Sequence, residues 1–172
     1  MDAEVRRKGI VTTVSQSEAP VSAAVLAKEF EVSRQVIVGD VALLRAQGQD
    51  IIATARGYVL QKSSETHQFL GKIACHHTPE NAQSELYTIV DLDAKVIDVV
   101  VEHEVYGEIT GSLNLTSRAD VDTFLSKLNS RSIKLLSELT MGTHLHTIAC
   151  RDKKHFDKVV QALELGGYLY AN

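Results

Sequence analysis

Cysteine and proline are scarce in this chain of 172 residues, with two of each. Cys75 and Cys150 are too few for a disulfide framework, and in a reducing compartment they are expected to stay free thiols without a catalytic role. With 44% hydrophobic and 23% charged residues, the chain lacks the signature of disorder and has the apolar matter for a buried core. The opening MDAEVRRKGIVTTVSQ lacks the apolar run of a secretory leader. No stretch approaches the roughly 20 apolar residues that cross a bilayer. The sequence therefore predicts a cytoplasmic protein with no membrane partner. An HExxH pair is also missing.

A strong basic excess is absent too. The net charge is −4, but it is unevenly spread: residues 1–62 carry 8 Lys+Arg against 7 Asp+Glu, and the acidic surplus lies beyond them. Binding to DNA depends on the local field at the phosphates, so a near-neutral segment can serve if its basic groups cluster on one face. The length permits two small domains.

What is present begins with three short helical patterns. In residues 2–16, Val5, Ile10, Val11 and Val14 fall near helical spacing, with Arg6, Arg7 and Lys8 expected on the opposite side. Ser17 to Pro20 breaks this helix. Ser22 then caps AAVLAKEF, in which Val25, Leu26 and Phe30 form an apolar stripe. Ser33 caps a third helix marked by Val36, Ile37, Val41 and Leu44 and closed by Gly48. The tight Glu31-Val32-Ser33 link, with small Ala27 nearby, has the spacing of a helix-turn-helix. DIIATARGYVLQ follows as a hairpin around Ala55-Arg56-Gly57, with glycine where the turn needs positive φ.

This order predicts a winged helix-turn-helix domain over 1–62 that binds double-stranded operator DNA. Ser33, Arg34 and Gln35 open the reader helix, and Arg56 stands at the wing tip. Arg34 and Gln35 have the chemistry for direct base readout. LAKEFEVSRQVIVGDVALLRAQG followed by ARGYVL resembles the winged helix of the biotin-repressor type, over residues 5–61.

The polar stretch 61–71 marks the domain boundary. Beyond it the pattern is strand (KIACHH), helix from Pro79 with Thr78 as cap, strands VIDVVVEHEV and GEITGSLNL, helix capped by Ser117, strand THLHTIACR, helix KKHFDKVVQALELG and a short YLYA strand. The overall class is α+β, and residues 70–172 are expected to form a ferredoxin-like sandwich with helices on one face of an antiparallel sheet.

Four of seven histidines concentrate in two of these strands. Alternation puts His144 and His146 on one face, and His76-His77 ends another of the predicted strands. Glu85, two helical turns after His77, can face the same sheet surface. Three imidazoles and a carboxylate suit a borderline divalent ion such as Zn, Ni, Co, Fe or Mn. His67 and His155 read as surface residues.

HHTPENAQSELY, VEHEVYGEITG and THLHTIA resemble the three motifs of the three-histidine domain, which follows such a winged helix in the niacin-responsive repressor family. The likeness spans essentially the whole chain. It implies a repressor of NAD biosynthesis or niacin-uptake genes, with nicotinic acid as corepressor; a homodimer is expected separately, because paired half-sites are how such small reader modules reach specificity. The likeness also implies one divalent transition metal on His77, Glu85, His144 and His146, with His76, His103 and Tyr106 around the effector. Where that family commonly has a proline after the middle histidine, this chain has Glu104. Two other classes fit the residues alone: a metal-dependent enzyme, or a dimerisation module fused to a winged helix.

Overall fold

A computed structural model describes residues 2–61 and 68–171, so His67 and part of the expected boundary stretch lie outside the described residues. The chain divides into two compact units, 1–64 and 65–172. Among the described residues no helix is long and apolar enough to cross a membrane.

In the first unit, α1 (Ala3–Gln16) is capped by Asp2, whose side chain accepts from the Glu4 N–H. Ile10 and Val14 face the core, whereas Val5 is exposed. Helix geometry explains this: Val5 stands roughly 140° around the axis from Ile10, while residues three and four before Ile10 share its face. Those residues are Arg7 and Arg6. Far from pointing away, they reach buried Asp40, with Arg6 Nε at 2.6 Å and Arg7 at 3.5 Å. The expected solvent face of α1 thus supplies a partly buried ion cluster that ties it to the third helix.

α2 (Ala23–Glu29) is capped by Ser22 and α3 (Arg34–Ala46) by Ser33, each hydroxyl accepting an N–H three residues on. Glu31, at φ +53, makes the tight turn between them. Ala23 and Leu26 of α2 and Ile37, Val41 and Leu44 of α3 are buried, while Val25 and Val36 of the predicted stripes are exposed. The hairpin pairs β1 (Ile51–Thr54) with β2 (Gly57–Leu60). Gly57 has φ +138, and a Cβ there would lie 2.5 Å from the Val21 backbone, which bridges to Tyr58. Positive φ and the close approach of a second segment both demand glycine.

The second unit contains β3 (Phe69–His76), α4 (Ala82–Asp91), β4 (Lys95–His103), β5 (Gly107–Leu115), α5 (Arg118–Ser130), β6 (Thr143–Cys150) and α6 (Lys153–Leu165). As the sequence predicts, the sheet is antiparallel and α4 and α6 pack on one face of it, with α5 against α4. The strand order is β3-β6-β4-β5. The unit's second and fourth strands are therefore central, where a ferredoxin arrangement places the first and third. Apolar content accounts for the choice. β4 carries the buried run Val99-Val100-Val101 and β6 the buried Ile148-Ala149-Cys150, while polar Lys72 and His76 and Glu108 and Thr110 face out of the edge strands.

Three details depart from the sequence reading. Thr78 occupies the cap position without a side-chain bond, and a 3-10 turn, Pro79–Asn81, leads into α4. A second such turn, Leu136–Thr140, precedes β6. YLYA forms no strand beyond a bridge from Leu169 to Cys75, flanked by His76 N–H to Tyr168 O and Tyr170 N–H to Ala74 O.

Candidate metal centre and nucleic-acid surface

Register decides which side chains meet. Cys75 of β3 pairs with His144 of β6, and Ile73 with His146, so all four share the face on which α4 lies. His77 follows directly after β3. Glu85, in the first turn of α4, points into this group and is only 1% exposed. His77, His144 and His146 are buried as well. His77 Nε2 stands 2.5 Å from Glu85 Oε2, and the Nε2 atoms of His144 and His146 each stand 3.1 Å from Glu85 Oε1.

The opposite ring nitrogens fix the tautomers. Nδ1 of His77 is 2.9 Å from the Thr78 carbonyl, that of His144 is 2.8 Å from Gly142 O, and that of His146 is 2.7 Å from Asp98 O. Carbonyl oxygens only accept, so each Nδ1 carries a proton and donates. In a neutral ring the Nε2 lone pair then faces the carboxylate, and such a contact between two acceptors is repulsive. The arrangement calls for positive charge between the rings and Glu85, from added protons or from a cation. Imidazoles oriented through Nδ1–H to backbone carbonyls are also how metal-binding histidines are held.

The electrostatics agree. Burial pushes the His77 imidazole down, but the Glu85 hydrogen bond and charge outweigh it and leave it raised. His146 is likewise lowered by burial and raised overall by Glu85. Burial raises Glu85, yet the charge of His146 and hydrogen bonds from the three imidazoles hold it well below the usual carboxylate range. Three nitrogens and one carboxylate, all buried, make a donor set that fits a borderline divalent ion.

Cys75, given no role from sequence, lies in the same group. Its Sγ, a Glu85 oxygen and a His144 ring nitrogen are all within 4.8 Å of one another. Only the β3–β6 register could reveal this. Gly142 carries no sequence signal of its part either: its carbonyl accepts from His144 and, at φ +98, the residue lies against the His77 carbonyl.

The other predicted residues lie around or apart from this centre. His76 points out of the opposite face of β3, with Nδ1 2.9 Å from Thr143 Oγ1 and its ring edge-on to Tyr170. His103 ends β4, where Nδ1 accepts from the N–H groups of Val105 and Tyr106 and closes the β4–β5 turn. Tyr106 is exposed beside it. His155 is buried rather than on the surface. Its Nδ1 accepts from the Arg151 N–H and its Nε2 donates to Leu92 O, fastening the start of α6 to the α4–β4 connection.

In the first unit, Ser33, Arg34 and Gln35 are exposed at the start of α3. Capping occupies one acceptor lone pair of Ser33 and leaves its O–H as a donor. Arg56 lies at the hairpin tip, where its N–H is held by Thr54 Oγ1.

The 3H domain family matches residues 71–172 and an HTH domain family matches 6–59. The transcription repressor NadR of Bacillus subtilis is 42% identical over 166 residues, covering 95% of this chain and 92% of that protein. The probable transcription repressor NiaR of Thermotoga maritima is 40% identical over 164 residues, covering 95% and 93%. The chain belongs to this repressor family.

Membership makes the chain a DNA-binding transcription regulator and sets aside the enzyme reading. The HTH match takes in α1 to β2 almost completely, and the 3H match contains every residue of the histidine–carboxylate centre.

Proposed function

We propose that this repressor binds operator DNA as a homodimer when it holds a divalent transition metal and nicotinic acid, silencing genes of NAD biosynthesis or niacin uptake. The observation that carries this reading is the convergence of three Nε2 atoms on the single buried carboxylate of Glu85. His77, Glu85, His144 and His146 would hold the ion, which would supply a fixed positive centre for an anionic or pyridine donor.

A cleft of about 530 Å³ opens beside the centre, lined among others by His76, His77, Asn81, Lys134 and Met141. The Lys134 ammonium suits a carboxylate and Met141 offers an adaptable apolar surface, a combination matched to an aromatic acid. Sensing becomes repression if the effector favours the dimer geometry in which two α3 helices meet successive major grooves. A coupling of about 1–3 kcal/mol would change operator affinity roughly 5- to 150-fold.

Footprinting of metal-loaded protein with and without nicotinic acid tests the reading. Protection that strengthens with the acid is expected. Equal protection in both lanes would remove nicotinic acid as the signal.

A further inference from the structure

We propose that Cys75 is an additional ligand of the metal, so that the centre holds its ion with three imidazoles, one carboxylate and one thiolate. This rests on the reading of the cluster as a metal site, and its test separates the two.

Placement is the first argument. Cys75 is the cross-strand partner of His144 and precedes His77 by two residues, so the pleat aims its Sγ at the face on which the imidazoles converge. It is fully buried. Its Sγ, a Glu85 oxygen and a His144 nitrogen form a triangle with no side over 4.8 Å. Adjacent donors around one five-coordinate ion stand roughly 2.8–3.8 Å apart and opposed ones about 4.3 Å, given metal–nitrogen and metal–sulfur bonds of about 2.0 and 2.3 Å. Small rotamer adjustments close the difference.

Contrast is the second argument. Cys150 lies on the same strand as His144 and is buried too, yet it pairs with Phe69 at the far end of the sheet and has no place in the cluster. One cysteine packs a core; the other shares its polar surroundings with the buried Glu85 carboxylate and the His144 imidazole. On metal loading the Cys75 S–H proton passes to solvent and the sulfur lone pair forms the bond to the ion. The expected chemical consequence is a preference for zinc, cobalt or nickel over manganese, because thiolate favours softer ions.

Cobalt(II) gives the test. Metal-free full-length protein is titrated with cobalt(II) and followed by absorption. Wild type should develop visible ligand-field bands together with an intense near-ultraviolet sulfur-to-cobalt charge-transfer band. Cys75→Ser should keep the visible bands, lose the near-ultraviolet one, and bind cobalt at least about tenfold more weakly. Cys150→Ser should match wild type. Visible bands without charge transfer in wild type would overturn the thiolate and leave the histidine–carboxylate site standing, whereas no cobalt uptake would overturn both. X-ray absorption of zinc-loaded wild type needs no substitution: a sulfur neighbour at about 2.3 Å is expected, and a shell of nitrogen and oxygen alone would refute the proposal.

Discussion

A β-carbon on Gly142 would lie 2.4 Å from the carbonyl oxygen of His77, so the turn before β6 and the end of β3 meet at a distance only glycine permits. The Gly142 carbonyl also accepts the Nδ1 proton of His144. One residue without a side chain therefore sets the position of two imidazoles.

Gly142→Ala is accordingly expected to weaken metal binding about 10- to 100-fold, the range seen when residues that orient metal ligands are lost. Calorimetric titration with zinc or nickel measures this. Unchanged affinity would mean that the turn does not hold the rings in place.

Glu85→Gln keeps the shape of the side chain and removes its charge. The raised affinity of His77 and His146 for protons depends on that charge, so both should titrate at lower pH in the variant, as NMR of the imidazole protons would show. Operator binding should lose its response to metal while the metal-free variant keeps its fold.

The pH dependence of metal-free protein follows from the same cluster. His77 and His146 are raised above the ordinary 6.5 in the folded state. Their contribution to stability is fully present below that value and fades as pH rises through the raised folded values. Glu85 is depressed, so its contribution is lost only on strong acidification. Thermal melts of chelator-treated protein should thus weaken on going alkaline from near neutrality. Metal affinity should move the other way, because the ion displaces protons. A melting temperature flat across this range, in the absence of metal, would contradict the assigned charge states.

On the DNA face, Gln35→Ala should cost about 1–3 kcal/mol at particular operator positions and relax the preference there, as expected of a base-reading side chain. If Arg34 contacts phosphate, Arg34→Ala should weaken binding evenly and reduce the salt slope by about 1. Both residues are exposed, so thermal stability should not change. Binding to operator variants across a salt series distinguishes the roles.

Asp40→Ala should behave differently. It strands Arg6 and Arg7 beside a partly buried gap, so the protein should melt several degrees lower and bind DNA less well only through that loss. Melting unaltered from wild type would show that the pair contributes nothing.

Much of this was legible in the chain because local rules governed it. Ser22 and Ser33 announce helix starts through their caps, Gly57 announces a hairpin, and the two-residue spacing of His144 and His146 places both rings together. What escaped depends on contacts between distant segments. The roles of Arg6 and Arg7 require knowing that Asp40 is buried opposite them. His155 resembles a surface residue until Leu92 supplies a carbonyl above it. The central places of β4 and β6 are a matter of sheet order, which hydrophobic alternation does not encode. Cys75 carries no motif, and only its pairing with His144 brings it to the centre.

That β6 lies between β3 and β4 also sets a timetable for the molecule. Two of the three histidines arrive on a strand that begins at Thr143, near the end of the chain, and must enter between partners synthesised much earlier. Such non-local pairing is the slow kind. A growing or truncated polypeptide that ends before this strand possesses the reader helix but not the complete histidine–carboxylate cluster. On the proposed metal reading, sensitivity to the ion would be acquired only once Thr143–Cys150 has been made, and an ion-loaded centre would mark a sheet that has closed.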